Sequence, residues 1–380
     1  MNPLKALSEH GQSVWLDFIQ RKLLTGGELK RLVEEDGLKG VTSNPAIFEK
    51  AIADSDDYDD VIAGMGGDGS ADPKAVYEAI ATRDIQEAAD VLRPVYDETG
   101  RRDGYVSLEV SPYLAHDTEG TVAEARRLWN TVSRDNLLIK VPGTPEGVPA
   151  IEQLIGEGIS VNVTLLFARE AYEQVAQAYI RGLATAAAGG RDVGRIASVA
   201  SFFISRIDTL VDDTIEKRLE TADEAAKDRL RALKGKVAIA NARLTYRRYK
   251  EIMQGEGWQA LAGKGARPQR LLWASTSTKN PDYPDVLYVD ELIGEDTVNT
   301  IPPATLDAFR DHGRVRNSLE EDVGAAAETM DALEQAGVSM KEVTDKLLED
   351  GVRLFSEAFD KLLAAVEEEC RKARDRGQER

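Results

Sequence analysis

Short apolar, β-branched segments recur along the chain, with stretches of helical spacing between them. They are Ser13–Ile19, Gly40–Asn44, Tyr105–Val110, Leu137–Val141, Ile159–Leu166, Ile196–Ile204, Arg270–Ser275 and Thr297–Ile301, eight in all. Several end at Pro or Gly, as strands often do. Most are apolar almost throughout rather than alternating, the pattern of strands covered on both faces of a parallel sheet. Between them, Thr25–Glu28 reads as a capping box before Leu29, Leu32 and Val33, with Gly37 as the stop. Thr121–Glu124 reads as a second capping box, ahead of Leu128 and Trp129. Asp72-Pro73 places a cap before a proline at the first helical position, and Val76, Ile80 and Ile85 follow on one face. Residues 169–187 form a further helix, 206–254 two or three more, and 302–313 another. The Gly- and Asp-rich run Ala63–Asp72 reads as a loop.

Strands alternating with helices in this way predict an α/β fold, a (β/α)8 TIM barrel. The competing open, doubly wound sheet calls for a Gly-rich turn after the first strand. Ile19 is followed instead by QRKLLTGGEL, with neither GxGxxG nor GxxxxGK[ST]. Two connections, 46–104 and 205–269, are long enough to be helical insertions, and extra helices run from about residue 318. Residues 1–380 therefore read as a single barrel domain. In 340–366, Val343, Leu347, Val352, Phe355, Phe359, Leu362, Leu363 and Val366 make an apolar stripe. This helix must pack on something, either the barrel's own mouth or a partner subunit. The polar stretch Glu367–Arg380 is expected to fray.

Composition narrows the chemistry. Lys plus Arg number 48 and Asp plus Glu 67 in 380 residues, a net charge of −19. That balance argues against nonspecific binding to nucleic acid or a membrane surface. A single cysteine, Cys370, excludes an intramolecular disulfide and a cysteine-rich zinc site. His10, His116 and His312 are never paired at close spacing, which argues against a histidine-based metal site. Met1–Gly11 has no apolar core of a secretory signal, and the longest uncharged run, Gly158–Ala168, has eleven residues. A cytoplasmic protein is the expectation.

Reactive residues of such a barrel belong at the C-terminal ends of its strands. The polar residues found there are Asp17, Asn44, Glu109, Lys140, Asn162, Thr164, Ser201, Ser275 and Ser277. Lys140, set between Leu137-Leu138-Ile139 and Val141-Pro142, stands out. A desolvated ammonium loses proton affinity, which frees the amine to attack a carbonyl. It reads equally as half of a structural ion pair with Asp17 or Glu109. One lysine with two carboxylates is the set that Schiff-base carbon–carbon chemistry requires: the amine forms the imine, and the acids move protons. Asn44 and Asn162 could bind sugar hydroxyls, although Asn44 before Pro45 equally suits a cap. Arg206 and Lys279 follow the sixth and seventh strands, where barrel phosphate sites cluster.

The blocks WLDFI, GVTSNPAIF, SLEVSP, LLIKVPGT, SVNVTLLF, SFFISRID and WASTSTKNP occur in that order between residues 13 and 302 and resemble those of transaldolase. The C-terminal DKLLEDGVRLFSEAFDKLLAAV is also similar to the family's last helix, and the long insertions resemble its larger bacterial members. The resemblance implies a pentose phosphate pathway transferase without metal or organic cofactor, commonly a homodimer. Such an enzyme moves a dihydroxyacetone unit from sedoheptulose 7-phosphate or fructose 6-phosphate to glyceraldehyde 3-phosphate or erythrose 4-phosphate. It further implies Lys140 as the Schiff-base lysine and Glu109 as the acid that dehydrates the carbinolamine through a water that Thr164 helps hold. Asp17 is implied as the base for the C4 hydroxyl. Asn44, Asn162 and Ser201 are implied to bind the dihydroxyacetone part, and Arg206 the phosphate. One block departs. Smaller members carry Ser-Phe-Arg-Asn after strand seven, whereas here the run is Ser275-Thr-Ser-Thr-Lys279-Asn280. Two extra residues intervene and lysine replaces arginine, so phosphate binding is assigned to Ser275 and Lys279, with a point charge in place of a fork. The rivals are a Schiff-base aldolase that releases free dihydroxyacetone, and an inactive barrel that only binds sugar phosphates.

Overall fold

The computed structural model describes residues 2–66 and 72–378. Eight parallel strands close into a barrel in sequential order. They are β1 (Gln12–Asp17), β2 (Gly40–Thr42), β3 (Tyr105–Glu109), β4 (Leu137–Pro142), β5 (Val161–Leu166), β6 (Ser198–Phe203), β7 (Arg270–Ala274) and β8 (Thr297–Ile301). The ring shuts where β1 pairs with β8, from Gln12 opposite Thr297 to Leu16 opposite Ile301. Almost every strand residue is buried, because the barrel interior covers one face and the helices the other. The strands match the apolar segments of the sequence but are trimmed at the ends. Phe18, Ile19, Ser43 and Asn44 lie past the last paired positions, where the neighbouring strand has already turned away.

The long connections are helical. Between β2 and β3 lie Pro45–Ala53, Asp59–Gly66 and Pro73–Glu98, and between β6 and β7 lie Ser205–Leu219, Glu224–Leu233, Val237–Gln254 and Glu256–Ala262. Asn44 caps the first of these by accepting from the Ile47 amide, and Asp72 caps Pro73–Glu98 by accepting from that of Lys74. Among the described residues no helix is long and apolar enough to cross a membrane.

Four local expectations are corrected. Thr25 is not a capping residue: its hydroxyl donates back to the Arg21 carbonyl inside the short helix Arg21–Thr25. Gly27, at φ 77°, opens Glu28–Asp36 instead. Thr121 likewise lies within the helix Thr118–Val132, which Asp117 caps, and Glu124 accepts from the Ser111 amide rather than serving a capping box. Of the expected loop Ala63–Asp72, residues 63–66 belong to the helix Asp59–Gly66, and 67–71 lie outside the described residues. The polar tail does not fray at Glu367: one helix runs from Met340 to Gln378. Cys370 and Ala373 still touch the core, and Arg371 and Lys372 pair with Glu368 and Glu369 one turn back.

This C-terminal helix settles where the apolar stripe goes. It packs against Pro45–Ala53, Asp59–Gly66 and Pro73–Glu98 and reaches the end of β5, lying across the barrel's own C-terminal mouth. Phe355, Phe359, Leu362 and Val366 are buried there, and Gly351 seats closely on Leu165.

At the opposite face, Gly104 turns the chain into β3 with φ 86°, and a Cβ there would stand 2.4 Å from the Tyr96 amide nitrogen. Gly104→Ala should lower the unfolding free energy by about 2 kcal/mol or more, from left-handed strain plus backbone overlap. Denaturant titration checks this, and a change inside experimental error would mean that the turn is not as described.

Candidate active site

Parallel pairing sets Glu109 on β3 opposite Lys140 on β4, and Lys140 opposite Asn162 on β5. Residues in register on adjacent strands point to the same face, so these three side chains meet at one level. Lys140 is 5% exposed and Glu109 7%. The lysine Nζ lies 3.6 Å from Glu109 Oε2 and donates to the Ser43 carbonyl at 3.2 Å. Neither Glu109 oxygen has a hydrogen-bond partner. Burial pushes the Glu109 carboxyl up to about 7, against the pull of Lys140, and the Asp17 charge adds to the rise. An acid poised there can give and take a proton near neutrality. Asp17, at the end of β1, is also raised by burial, opposed by the Lys140 charge and by a 2.7 Å bond from the Thr42 hydroxyl.

Lys140 and Asp17 border a cavity of about 400 Å³ at the C-terminal mouth. Asp17, Asn44, Lys140, Ser201, Arg206, Ser275, Ser277 and Lys279 line it. Asn162 is buried beneath, held by a donated bond to Ser107 Oγ at 3.0 Å and one accepted from Ser201 at 2.7 Å. Thr164 is buried too, with an unpartnered hydroxyl, beside a register break in β5 where Leu165 adopts φ 60°. Glu109 also borders a separate void of about 20 Å³, with Tyr77, Ser111, Glu124 and Phe359. That volume suits a single water molecule.

The far wall is cationic. Arg206, just inside the helix after β6, lies over the Phe203 ring at 5.3 Å. Burial alone lowers its pKa, while that of Lys279 is lowered by burial and then by the neighbouring Arg206 charge. Among the described residues no carboxylate pairs with either. Ser275, at φ 56°, accepts from the Ser205 amide and shares a 2.8 Å hydroxyl contact with Ser205. Arg206 and Lys279, with no acid paired to either, leave this part of the wall locally positive.

All eleven sequence candidates thus gather at the barrel mouth, eight on the cavity wall and three, Glu109, Asn162 and Thr164, outside that wall. Asn44 caps a helix through its side-chain carbonyl oxygen and also lines the cavity. Sequence reading missed Thr42, which positions Asp17, and Leu354, Phe355 and Ala358, which roof the cavity with Phe355 5.8 Å from the Lys140 Nζ. The apolar stripe signalled that this helix packs, but not on what. Among the described residues no cluster of His, Cys, Asp or Glu is placed to hold a metal.

Fold and site together define a class, a (β/α)8-barrel enzyme with a buried amine–carboxylate pair beneath a cationic rim. A sequence model of the family described as Transaldolase/Fructose-6-phosphate aldolase matches residues 14–366. A transaldolase of Trichodesmium erythraeum is 49% identical over 375 residues, covering 98% of both chains. One of Thermobifida fusca is 50% identical over 366 residues, 96% of this chain and 97% of its own. The chain belongs to the transaldolase/fructose-6-phosphate aldolase family.

The raised Glu109 pKa has a consequence for stability. Between the ordinary value of 4.5 and about 7, the folded protein holds a proton that the unfolded chain has released, so this group destabilises the fold as pH rises. Glu109→Gln removes that dependence. Its unfolding free energy relative to the parent should climb from pH 5 to pH 8, by on the order of 1 kcal/mol per pH unit at most. A constant difference across that range would show an ordinary carboxylate.

Proposed function

We infer that the protein is a transferase of the transaldolase reaction, moving a dihydroxyacetone unit between sugar phosphates of the pentose phosphate pathway through a Schiff base on Lys140. The observation that carries this reading is Lys140, buried 3.6 Å from a carboxyl that titrates near 7, at the floor of a cavity with two unpaired cations in its wall. The amine attacks the ketose C2 carbonyl and forms a carbinolamine. Glu109 donates the proton that lets hydroxide leave as water, giving the iminium, and the unpartnered Thr164 hydroxyl helps hold the intervening water. Asp17 takes the C4 hydroxyl proton as the C3–C4 bond breaks. The bonding pair flows into the iminium, the aldose departs, and an enamine stays on Lys140. The acceptor aldehyde is then attacked by the enamine carbon, and the steps reverse. Asn44, Asn162 and Ser201 hold the three-carbon unit, while Arg206, Ser275 and Lys279 hold the phosphate.

Transfer rather than release follows if the covalent enamine outlives the exchange of aldoses. The Phe355 roof supports this, because an apolar cover slows protonation of the enamine carbon by solvent.

Borohydride treatment with fructose 6-phosphate should leave one mass adduct on the peptide that contains Lys140. Lys140→Ala should abolish it and lower kcat roughly a thousandfold or more. Absence of any adduct favours the inactive binding barrel, and sustained turnover of fructose 6-phosphate without an acceptor favours the aldolase. Lys279→Ala should raise the KM for phosphorylated sugars roughly 10- to 100-fold, with little change for transfer from unphosphorylated ones. Equal effects on both would remove Lys279 from the phosphate seat.

A further inference from the structure

The N-terminal face of the barrel, opposite the mouth, holds a second cationic hollow of about 160 Å³. Arg101 and Arg102, from the turn before β3, and Arg267 and Arg270, before and at the start of β7, surround it. Tyr105 and Leu138 supply an apolar wall. Arg270 is neutralised by Asp103 at 2.9 Å, and Arg102 by Asp296 at 2.7 Å. Arg267 spends its donors on the carbonyls of Gly194 and Gly100, which satisfy hydrogen bonds but not charge. Arg101 has no acidic partner among the described residues. Four guanidiniums less two carboxylates leave two positive charges in one concavity.

Two features argue against an incidental cluster. Acids outnumber bases by 19 in this chain, yet none is supplied to Arg101 or Arg267. Arg101 also holds φ 72°, a left-handed conformation that costs any residue with a side chain, between Gly100 at 57° and Gly104 at 86°. Glycine flanks the turn on both sides, yet its strained position carries an arginine whose guanidinium lines the hollow. The field is felt locally: the buried Tyr96 and Tyr105 phenols, pushed up by burial, are drawn back by Arg101 and by Arg267 and Arg270 respectively.

We propose that Arg101 and Arg267, with Arg102 and Arg270 beside them, form a second binding site for a phosphate dianion at the barrel's N-terminal face. Guanidinium forks match phosphate oxygens two at a time, and two unpaired charges match a dianion. Inorganic phosphate would use the arginines alone, whereas a phosphate monoester would also lay its organic part on Tyr105 and Leu138. Bridging the two turns, the ligand would stabilise the folded state by mass action.

Calorimetric titration tests this on the intact protein with inorganic phosphate and, separately, glycerol 3-phosphate. The parent should show a binding component that survives Lys279→Ala and weakens at least tenfold in Arg101→Gly. Glycine relieves the backbone and leaves the Tyr105-to-Arg101 carbonyl bond intact, so this variant folds and turns over substrate as the parent does. Arg101→Lys should restore part of the affinity, and Arg267→Gln should weaken it as Arg101→Gly does. Tighter binding of glycerol 3-phosphate than of inorganic phosphate assigns the site to a monoester, and equal binding to the free ion. A titration unchanged by Arg101→Gly and Arg267→Gln, or wholly lost in Lys279→Ala, overturns the proposal. Because the arginine-dependent component is read separately from Lys279, its fate does not hang on the active-site assignment.

Discussion

Burying an amine and a carboxyl side by side is expensive. Each ion removed from water costs several kcal/mol, and attraction between the two recovers this only with good geometry. Lys140 and Glu109 stand 3.6 Å apart without a hydrogen bond between them, and both Glu109 oxygens lack partners. The pair therefore adds little to stability, and the rest of the fold must meet its cost. A barrel suits this, because each strand is fixed on both sides by its neighbours. Register alone then brings Glu109, Lys140 and Asn162 to one level.

The same constraint explains the roof. A mouth open to bulk water would lower the Glu109 pKa toward its ordinary value and expose any carbanion equivalent to protonation. The C-terminal helix covers it with Phe355 and Phe359, packed chiefly on the insertion helices and also on the loop after β3. The insertion between β2 and β3 is thus the platform on which the lid rests.

Charge is arranged by place rather than by sum. A net −19 argues against polyanion partners, yet the cavity wall carries Arg206 and Lys279 unpaired, and the opposite face carries Arg101 and Arg267. The acids are spent elsewhere, largely in short pairs along exposed helices such as Arg353 with Glu357 and Arg371 with Glu368. Such surface pairs add little stability but keep the cations at the two poles free of competitors.

The eight strands and the barrel class were legible in the sequence, because strand and helix alternation is a short-range pattern, and the candidate site residues stood out there as polar positions. Buried parallel strands are apolar throughout, so a lysine or glutamate embedded in one is visible without coordinates. Proline and glycine likewise mark the strand ends. Capping was less legible. Thr25 and Thr121 satisfy a local rule that Gly27 and Asp117 win through tertiary context, since the hydroxyls find carbonyls nearer by. The tail from Glu367 looked too polar to persist, but Cys370 and Ala373 pack on the core and carry the helix onward. What only the tertiary structure decided is which distant segments meet: that the apolar stripe of 343–366 roofs its own barrel, that Thr42 braces Asp17, and that Glu109 also borders a separate water-sized void. Those contacts join residues tens to hundreds of positions apart, and a periodic pattern records that a face is buried without recording what buries it.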